Sequence, residues 1–492
     1  MNFLTNLYSF FIYNPQQAFS FNSGPFFLLF TLFIIAYSFI YKNKRLRNSF
    51  IILFSLFFYY KLTGWYLFIM LLTASIDFFI ALSIQKTNNK KRKFILLLVS
   101  ICSSLGLLIY FKYIHFIMEN IYSIVKLEYN ALNILIPLGI SFYTFRTISY
   151  VIDVYREEIK PTTKYSEYIA YMSFFPLLIA GPITRAKNFI PQLRRNFNIK
   201  EEKIYKALFL IIIGLIKKAV IADYIGQYCN MVFDAPAGYS GFENLIAVYG
   251  FALQIYFDFS GYTDMAIGIA KLMGFDIGIN FNKPYHSLNI TEFWRCWHIS
   301  LSTWLRDYVF TPMAFKFRRW GKAGIFSSLF ITFLICGFWH GANWNFIFWG
   351  GLLGLIMGVE SLTSKYRKRM KKKTNPTLYK ILSWFLTFHI ITFLWIFFRS
   401  PDLQASGVII NRIFSDFSWT YLSPFYDARP LLIWTIITGF IFYCIPTRWY
   451  SFILLRFQIL PYWVKLIIFI MVVQLVIQFQ NTDVQAFIYA QF

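Results

Sequence analysis

PFFLLFTLFIIAYSFIY, residues 25–41, contains no charged side chain and runs into a basic loop carrying Lys42, Lys44, Arg45 and Arg47. An α-helix rises 1.5 Å per residue, so about 20 apolar residues cross a bilayer. The stretch therefore reads as a membrane span that delivers its basic end to the cytoplasm. Apolar runs of the same kind recur almost to the end of the chain. Residues 48–62 and 65–84 read as a hairpin turning at Thr63-Gly64 with both ends basic, and 94–111 returns to the outer side, where the neutral and acidic stretch 116–132 fits. Further apolar segments lie at 133–154, 166–180, 204–222, 243–257, 324–339, 345–360, 379–398, 431–446 and 462–479. The aromatic, weakly charged residues 1–24 read as an interfacial segment.

Several of these runs are interrupted, at Pro137-Leu138-Gly139, Pro176 and Gly181-Pro182. Broken backbone at membrane depth is tolerated only where protein buries it or it lines a wet cavity. The middle of the chain is therefore expected to hold tilted or re-entrant helices around an internal cavity. The fold class predicted is an all-α polytopic membrane protein with about 11–13 transmembrane or re-entrant helices. No repeat of 20 to 50 residues and no duplication of halves is visible. Residues 1–492 read as a single integral-membrane domain, with N-terminal spans over 1–130, a core over 131–360 and C-terminal spans over 361–492.

Composition agrees. The 492 residues are 58% hydrophobic and only 14% charged, which excludes intrinsic disorder. Lys and Arg number 47 against 22 Asp and Glu, a net charge of +25. On a soluble chain that excess would suggest nucleic acid. Here the bases sit in short clusters between apolar runs, as in Lys90-Lys91-Arg92-Lys93 and the run from Lys365 to Lys373. They read as cytoplasmic loops facing anionic membrane lipid, and no nucleic-acid partner is expected. Five scattered cysteines (102, 229, 296, 336 and 444) form no paired spacing, so neither a disulfide framework nor a metal site is expected. The N-terminus lacks a basic n-region and a small-residue cleavage site, so no removable signal peptide is expected.

Polar residues are densest between 256 and 345. Ionisable groups at membrane depth are costly and mark pathways or sites. In TEFWRCWHISLSTWLRDYVF (291–310), Thr291 is the expected helix cap, and Trp294, His298 and Ser302 would share a face. Taken alone, that segment also suits an interfacial amphipathic helix anchored by Trp and Arg. His340 ends an apolar run, lies between Trp339 and Trp344, and precedes Gly341, Asn343 and Asn345. An imidazole beside a substrate hydroxyl can take its proton near neutral pH. A hydrogen-bonded core histidine is the equal alternative there. No GxGxxG, Walker A, HExxH or GxSxG pattern is present, and Cys336 with His340 makes a weak metal pair. Asp77, inside an apolar run, calls for a structural hydrogen-bond partner.

The ordered stretches PLGISFYTF (137–145), YVIDVYREE (150–158), FFPLLIAGPITR (174–185), YFDFSGYTDMAIGIAKLMGFDIGINFNKPY (256–285), TEFWRCWHISLSTWLRDYVFTPM (291–313) and FWHGANWNFIFWGG (338–351) resemble the membrane-bound O-acyltransferase family, in its bacterial alginate O-acetyltransferase branch. The resemblance implies helices around a central tunnel joining the two membrane faces. It implies that His340 is the catalytic histidine and that His298, toward the cytoplasmic mouth, assists or positions the donor. Trp294, Arg306, Asp307, Trp339, Asn343 and Trp344 are implied as tunnel-wall residues.

The same resemblance implies acetyl-CoA as donor, with no bound cofactor and no metal. A polysaccharide hydroxyl would be the acceptor, a separate extracytoplasmic acetyltransferase the partner, and the bacterial cytoplasmic membrane the location. Two other readings suit the broken helices and polar interior: a lipid or glycan transporter, and a non-catalytic assembly scaffold.

Overall fold

The structure, a computed structural model, describes residues 11–14, 19–131 and 134–479. The reading of 1–24 as interfacial falls mostly outside the described residues. Among them there is no strand, and the chain is helical throughout. Among the described residues six helical runs are long and apolar enough to cross a membrane: Lys44–Lys86, Lys90–Val125, Lys322–His340, Trp344–Leu362, Pro376–Arg399 and Tyr462–Phe479. Trp419–Ala428 with Pro430–Cys444, bent by 102°, makes a seventh if counted as one span. The remaining apolar sequence forms shorter or interrupted helices.

The details follow local chemistry. Ser23 caps Gly24–Ile40 by accepting from the Phe26 N–H, and Asn43 caps Lys44–Thr63 by accepting from Arg45 and Leu46. The 43 residues of 44–86 would be about 65 Å long if straight, twice the hydrocarbon thickness. They break at Gly64, where φ is +60°, so the expected turn at Thr63-Gly64 is present. One boundary differs from the reading: the helix does not end near residue 111 but continues through a π-helical turn at Ile109–Tyr113 to Val125, and Lys126 closes it in the left-handed conformation. The expected interruption at Pro176 is present. Tyr165–Ser173 holds only 9 residues, and the chain then turns over Pro176, which has no N–H to extend a helix.

Contacts gather the chain into two compact units. One comprises Met1–Ile211 with Tyr262–Gly278, the other Ile212–Gly261 with Ile279–Phe492. Within the first, Asp77 has the partners its burial demands, the hydroxyls of Ser100 and Ser104. Arg47, read as part of a solvated basic loop, is instead fully buried. It donates to the carbonyls of Leu193 at 2.6 Å and Arg195 at 3.0 Å, and its guanidinium lies 4.1 Å from the Phe197 ring. Burying that charge is tolerable only with such partners. In the second unit, Lys218 is buried between the carboxylates of Asp223, at 2.7 Å, and Asp258, at 2.5 Å. This pairing accounts for the aspartate of the YFDFSG stretch without a catalytic role.

Helices Lys322–His340 and Trp344–Leu362 form a close antiparallel pair. A Cβ at Gly337 would lie 2.2 Å from the Phe346 carbonyl oxygen, and one at Gly350 2.4 Å from that of Phe333. Small residues let helix backbones approach closely in membranes. The chain needs glycine for a different reason at Gly139, which opens Ile140–Tyr155 with φ at +79°. A side chain there would also meet the Leu178 carbonyl oxygen at 2.2 Å. Gly139→Ala is expected to lower stability by at least about 1–2 kcal/mol from backbone strain alone. Gly407→Ala, in a helix with open space around it, is expected to raise it slightly. Thermal unfolding of the two detergent-solubilised variants checks the opposite signs.

Candidate active site

The segment 291–310 is not one helix. Ile290–Cys296 and Ile299–Leu305 are separate turns of helix, and His298 between them has φ 42° and ψ 55°. A non-glycine residue in this left-handed region costs about 1–2 kcal/mol unless the surroundings fix it. Here Asn280 fixes it. Its carbonyl accepts from the Ile299 N–H at 2.9 Å, and its side-chain oxygen accepts from the Ser300 hydroxyl at 2.7 Å. The Asn282 N–H donates to the Cys296 carbonyl at 3.0 Å. The break therefore turns His298 out of the face it was expected to share with Trp294 and Ser302.

The expected cap is also corrected. Asn289, not Thr291, caps the helix by accepting from the Glu292 N–H, while Glu292 accepts from the Leu288 N–H. This Asn-x-x-Glu pattern is a capping box readable in the sequence. Thr291 instead donates its hydroxyl to Glu360 at 2.7 Å, and the Ile290 N–H donates to the same carboxylate at 2.9 Å. Glu360 thereby ties the start of this helix to Trp344–Leu362, and a carboxylate suits a helix N-terminus.

His340 is the last residue of Lys322–His340, and both it and His298 are buried. The Trp339 ring stands between them, 6.4 Å from His298 and 4.9 Å from His340 between ring centroids. Phe259 packs edge-on against His298 at 4.7 Å. Trp349 and Phe398 pack edge-on against His340 at 5.3 and 5.2 Å. Trp349 is also 5.9 Å from Trp294. The Phe346 ring fills the space beside Gly341, where a Cβ would come within 2.2 Å, so the chain after His340 passes flush against that ring.

Trp294 lines a cavity of about 780 Å³ that also presents Arg295, Arg306, Arg367, Thr332 and Glu360. Three guanidiniums against one carboxylate leave its polar wall positive. Trp294 thus touches both the cavity and the ring cluster around His340. Among the described residues no group of three or more His, Cys, Asp or Glu is placed to hold a metal ion.

The profile of the membrane-bound O-acyltransferase family matches residues 156–399, which include His298 and His340. The peptidoglycan O-acetyltransferase of Helicobacter pylori is 35% identical over 396 residues, 75% of this chain and 74% of that protein. A probable alginate O-acetylase of Pseudomonas aeruginosa is 34% identical over 410 residues, 81% of this chain and 75% of that protein. The chain belongs to the membrane-bound O-acyltransferase family. The teichoic acid D-alanyltransferase of Bacillus subtilis is 31% identical over 277 residues, 55% of this chain and 70% of that protein.

Of the residues read as site candidates, the acyltransferase brings His340, His298, Trp339 and Trp294 together. Arg306 lies at the cavity and pairs with Asp307 at 2.8 Å. Asn343 does other work. It caps Trp344–Leu362 and donates to the Pro401 carbonyl at 2.9 Å. Trp344 is 54% exposed and is not among the cavity-lining residues. Asn280, Arg295, Trp349, Glu360 and Arg367 are the residues that sequence reading missed. His115 and His389 have local partners, the Tyr129 hydroxyl and the Phe385 carbonyl.

His298 lies outside the candidate spans, and burial pushes its imidazole down to about 3. An exposed histidine titrates near 6.5. As pH falls, the unfolded acyltransferase takes up this proton before the folded one does. Stability from the neutral ring is complete above about pH 6.5 and is lost progressively toward pH 3. Asparagine tolerates the left-handed conformation and does not titrate. His298→Asn is therefore expected to flatten the fall in melting temperature between about pH 6.5 and 4. Parallel melting curves for the two proteins in detergent would show that this proton is not linked to folding.

Proposed function

We propose that this acyltransferase takes an acetyl group from acetyl-CoA at its cytoplasmic face and passes it toward hydroxyls of an exported or cell-surface polysaccharide, in a bacterial cytoplasmic membrane. The observation that carries the reading is the row of ring contacts from Trp294, which lines the arginine-bearing cavity, through Trp349 to His340. Guanidinium groups suit phosphate, which they bind through paired hydrogen bonds, so Arg295, Arg306 and Arg367 would hold the phosphates of the donor.

Orientation supports a cytoplasmic entrance. The cavity includes Glu360, Ser364 and Arg367, at the end of Trp344–Leu362 that leads into the basic helix Ser364–Lys373. Basic segments of this kind are retained on the cytoplasmic side. Trp349 precedes Glu360 by eleven residues of one helix, about 16 Å along its axis. That distance is about half the hydrocarbon thickness. His340 would then stand well inside the membrane.

The chemistry needs a positioned hydroxyl, a base and stabilisation of the oxyanion. In the proposed reaction the acceptor oxygen attacks the thioester carbonyl carbon while His340 takes its proton. Collapse breaks the carbon–sulfur bond, and the proton returns from the imidazolium to the thiolate. His298, neutral and clamped by Asn280, would position the donor. The packed rings would keep out water, which otherwise hydrolyses the thioester. The relatives named for alginate and peptidoglycan acetylation support a polysaccharide as final acceptor. A separate extracytoplasmic acetyltransferase would complete the transfer.

His340→Ala is expected to abolish radiolabel transfer from acetyl-CoA to cell-surface glycan in membrane vesicles, while the variant still inserts into the membrane. Normal labelling would overturn the role of His340. Flux of an unmodified glycan without labelling would favour a transporter. Arg295→Ala with Arg367→Ala is expected to raise the acetyl-CoA KM by about tenfold or more, at about 1.4 kcal/mol per decade.

A further inference from the structure

Several indoles lie on the helices around His340, and their N–H groups do not all have the same setting. The Trp395 N–H donates to the Tyr285 hydroxyl at 3.1 Å, and the Trp384 N–H donates to the Tyr285 carbonyl at 2.8 Å. The N–H groups of Trp294 and Trp349 are buried and meet no acceptor among the described residues. A buried indole N–H ordinarily finds an acceptor. These two side chains are 5% and 1% exposed, so solvent does not replace the missing partner.

Their positions are specific. Trp349 packs edge-on against the His340 ring with 5.3 Å between centroids, at an interplanar angle of 88°. Trp294 lies 5.9 Å from Trp349 and lines the cavity. The two unused donors therefore sit on the row of packed rings that runs from the cavity-lining Trp294 to the histidine. An indole N–H donates only; it neither accepts nor takes up a proton near neutral pH. That is the property needed beside an oxygen that gains negative charge and must not be protonated by its holder.

We propose that the Trp349 indole N–H, with that of Trp294 on the cavity side, binds the carbonyl oxygen of the donor thioester and stabilises it as an oxyanion during transfer. The assignment rests on the acyl-transfer reading above. As the acceptor oxygen bonds to the carbonyl carbon, the carbonyl π pair moves onto this oxygen, and the acceptor proton goes to His340. When the pair returns, the carbon–sulfur bond breaks, its electrons leave on sulfur, and the imidazolium proton follows them. The hydrogen bonds to the two indoles are strongest in the charged intermediate, so they favour the transition state over the bound thioester.

The test uses the full-length protein in membrane vesicles that contain the cell's own glycan, with radiolabelled acetyl-CoA as probe. Trp349→Phe removes the N–H and retains a ring. It is expected to lower kcat by about 10²- to 10³-fold, with the acetyl-CoA KM changed by less than about threefold. Because phenylalanine is smaller, a second variant carries 3-benzothienylalanine at position 349, which keeps the indole shape and replaces N–H by sulfur. The same fall in kcat is expected there. Wild-type kcat in the benzothienyl variant, beside an inactive His340→Ala, overturns the oxyanion assignment and leaves the acyl-transfer reading standing. A raised KM with unchanged kcat marks Trp349 as a wall residue and also overturns it. Full activity in His340→Ala overturns the role of His340, and this assignment with it, whereas absence of glycan labelling by the unaltered protein overturns the acyl-transfer reading.

Discussion

A backbone N–H or carbonyl buried away from water must find a partner within the protein, and the break at His298 is where this chain meets that constraint most sharply. Ending one helix at Cys296 and starting another at Ile299 releases groups that a continuous helix would have paired. Asn280 and Asn282 supply the replacements, through the Ile299, Ser300 and Cys296 backbone. The left-handed conformation of His298 follows from that arrangement. Asn280 and Asn282 together hold the segment bent and keep His298 off the face of a straight amphipathic helix.

The same constraint explains which parts of the fold were legible in the sequence. Lys322–His340, Trp344–Leu362, Pro376–Arg399, Pro430–Cys444 and Tyr462–Phe479 satisfy their backbone locally, so hydropathy and caps suffice to find them to within a few residues. The 291–310 segment satisfies its backbone through residues near 280. A window read along the chain sees Trp294, His298 and Ser302 at helical spacing and cannot see the clamp. At residues 166–180 the proline that interrupts the run is itself a local signal, and apolar composition there serves a buried turn over Pro176.

Charge was legible in aggregate and not residue by residue. The clusters at 90–93 and 365–373 belong to solvent-facing helix ends. Arg47 and Arg367 come from the same kinds of cluster, yet Arg47 is buried on carbonyls and Arg367 turns back onto Glu360. Glu360 stands near the end of an apolar helix, where nothing local points to a partner. It is the group that joins the cap of Ile290–Cys296 to Trp344–Leu362 and so fixes one wall of the cavity. Pairings across seventy residues leave no local signature, although the Asn289-x-x-Glu292 box beside them does.

In the proposed reaction, cations at the cavity and rings around His340 would divide the work of a single extended ligand. A charged head group gains from guanidiniums where some water remains, because these charges need no full desolvation. The reacting carbonyl gains from the opposite setting. Among Trp294, Trp339, Trp349 and Phe398 the local dielectric is low, so a hydrogen bond to developing charge is worth more than it would be in water. A lysine or arginine placed beside His340 would stabilise an oxyanion as well. It would also raise the cost of protonating the imidazole, which the reaction requires at the same moment. Neutral donors avoid that conflict. The tryptophan-rich lining suits the proposed reaction, in which a histidine becomes positive while a neighbouring oxygen becomes negative.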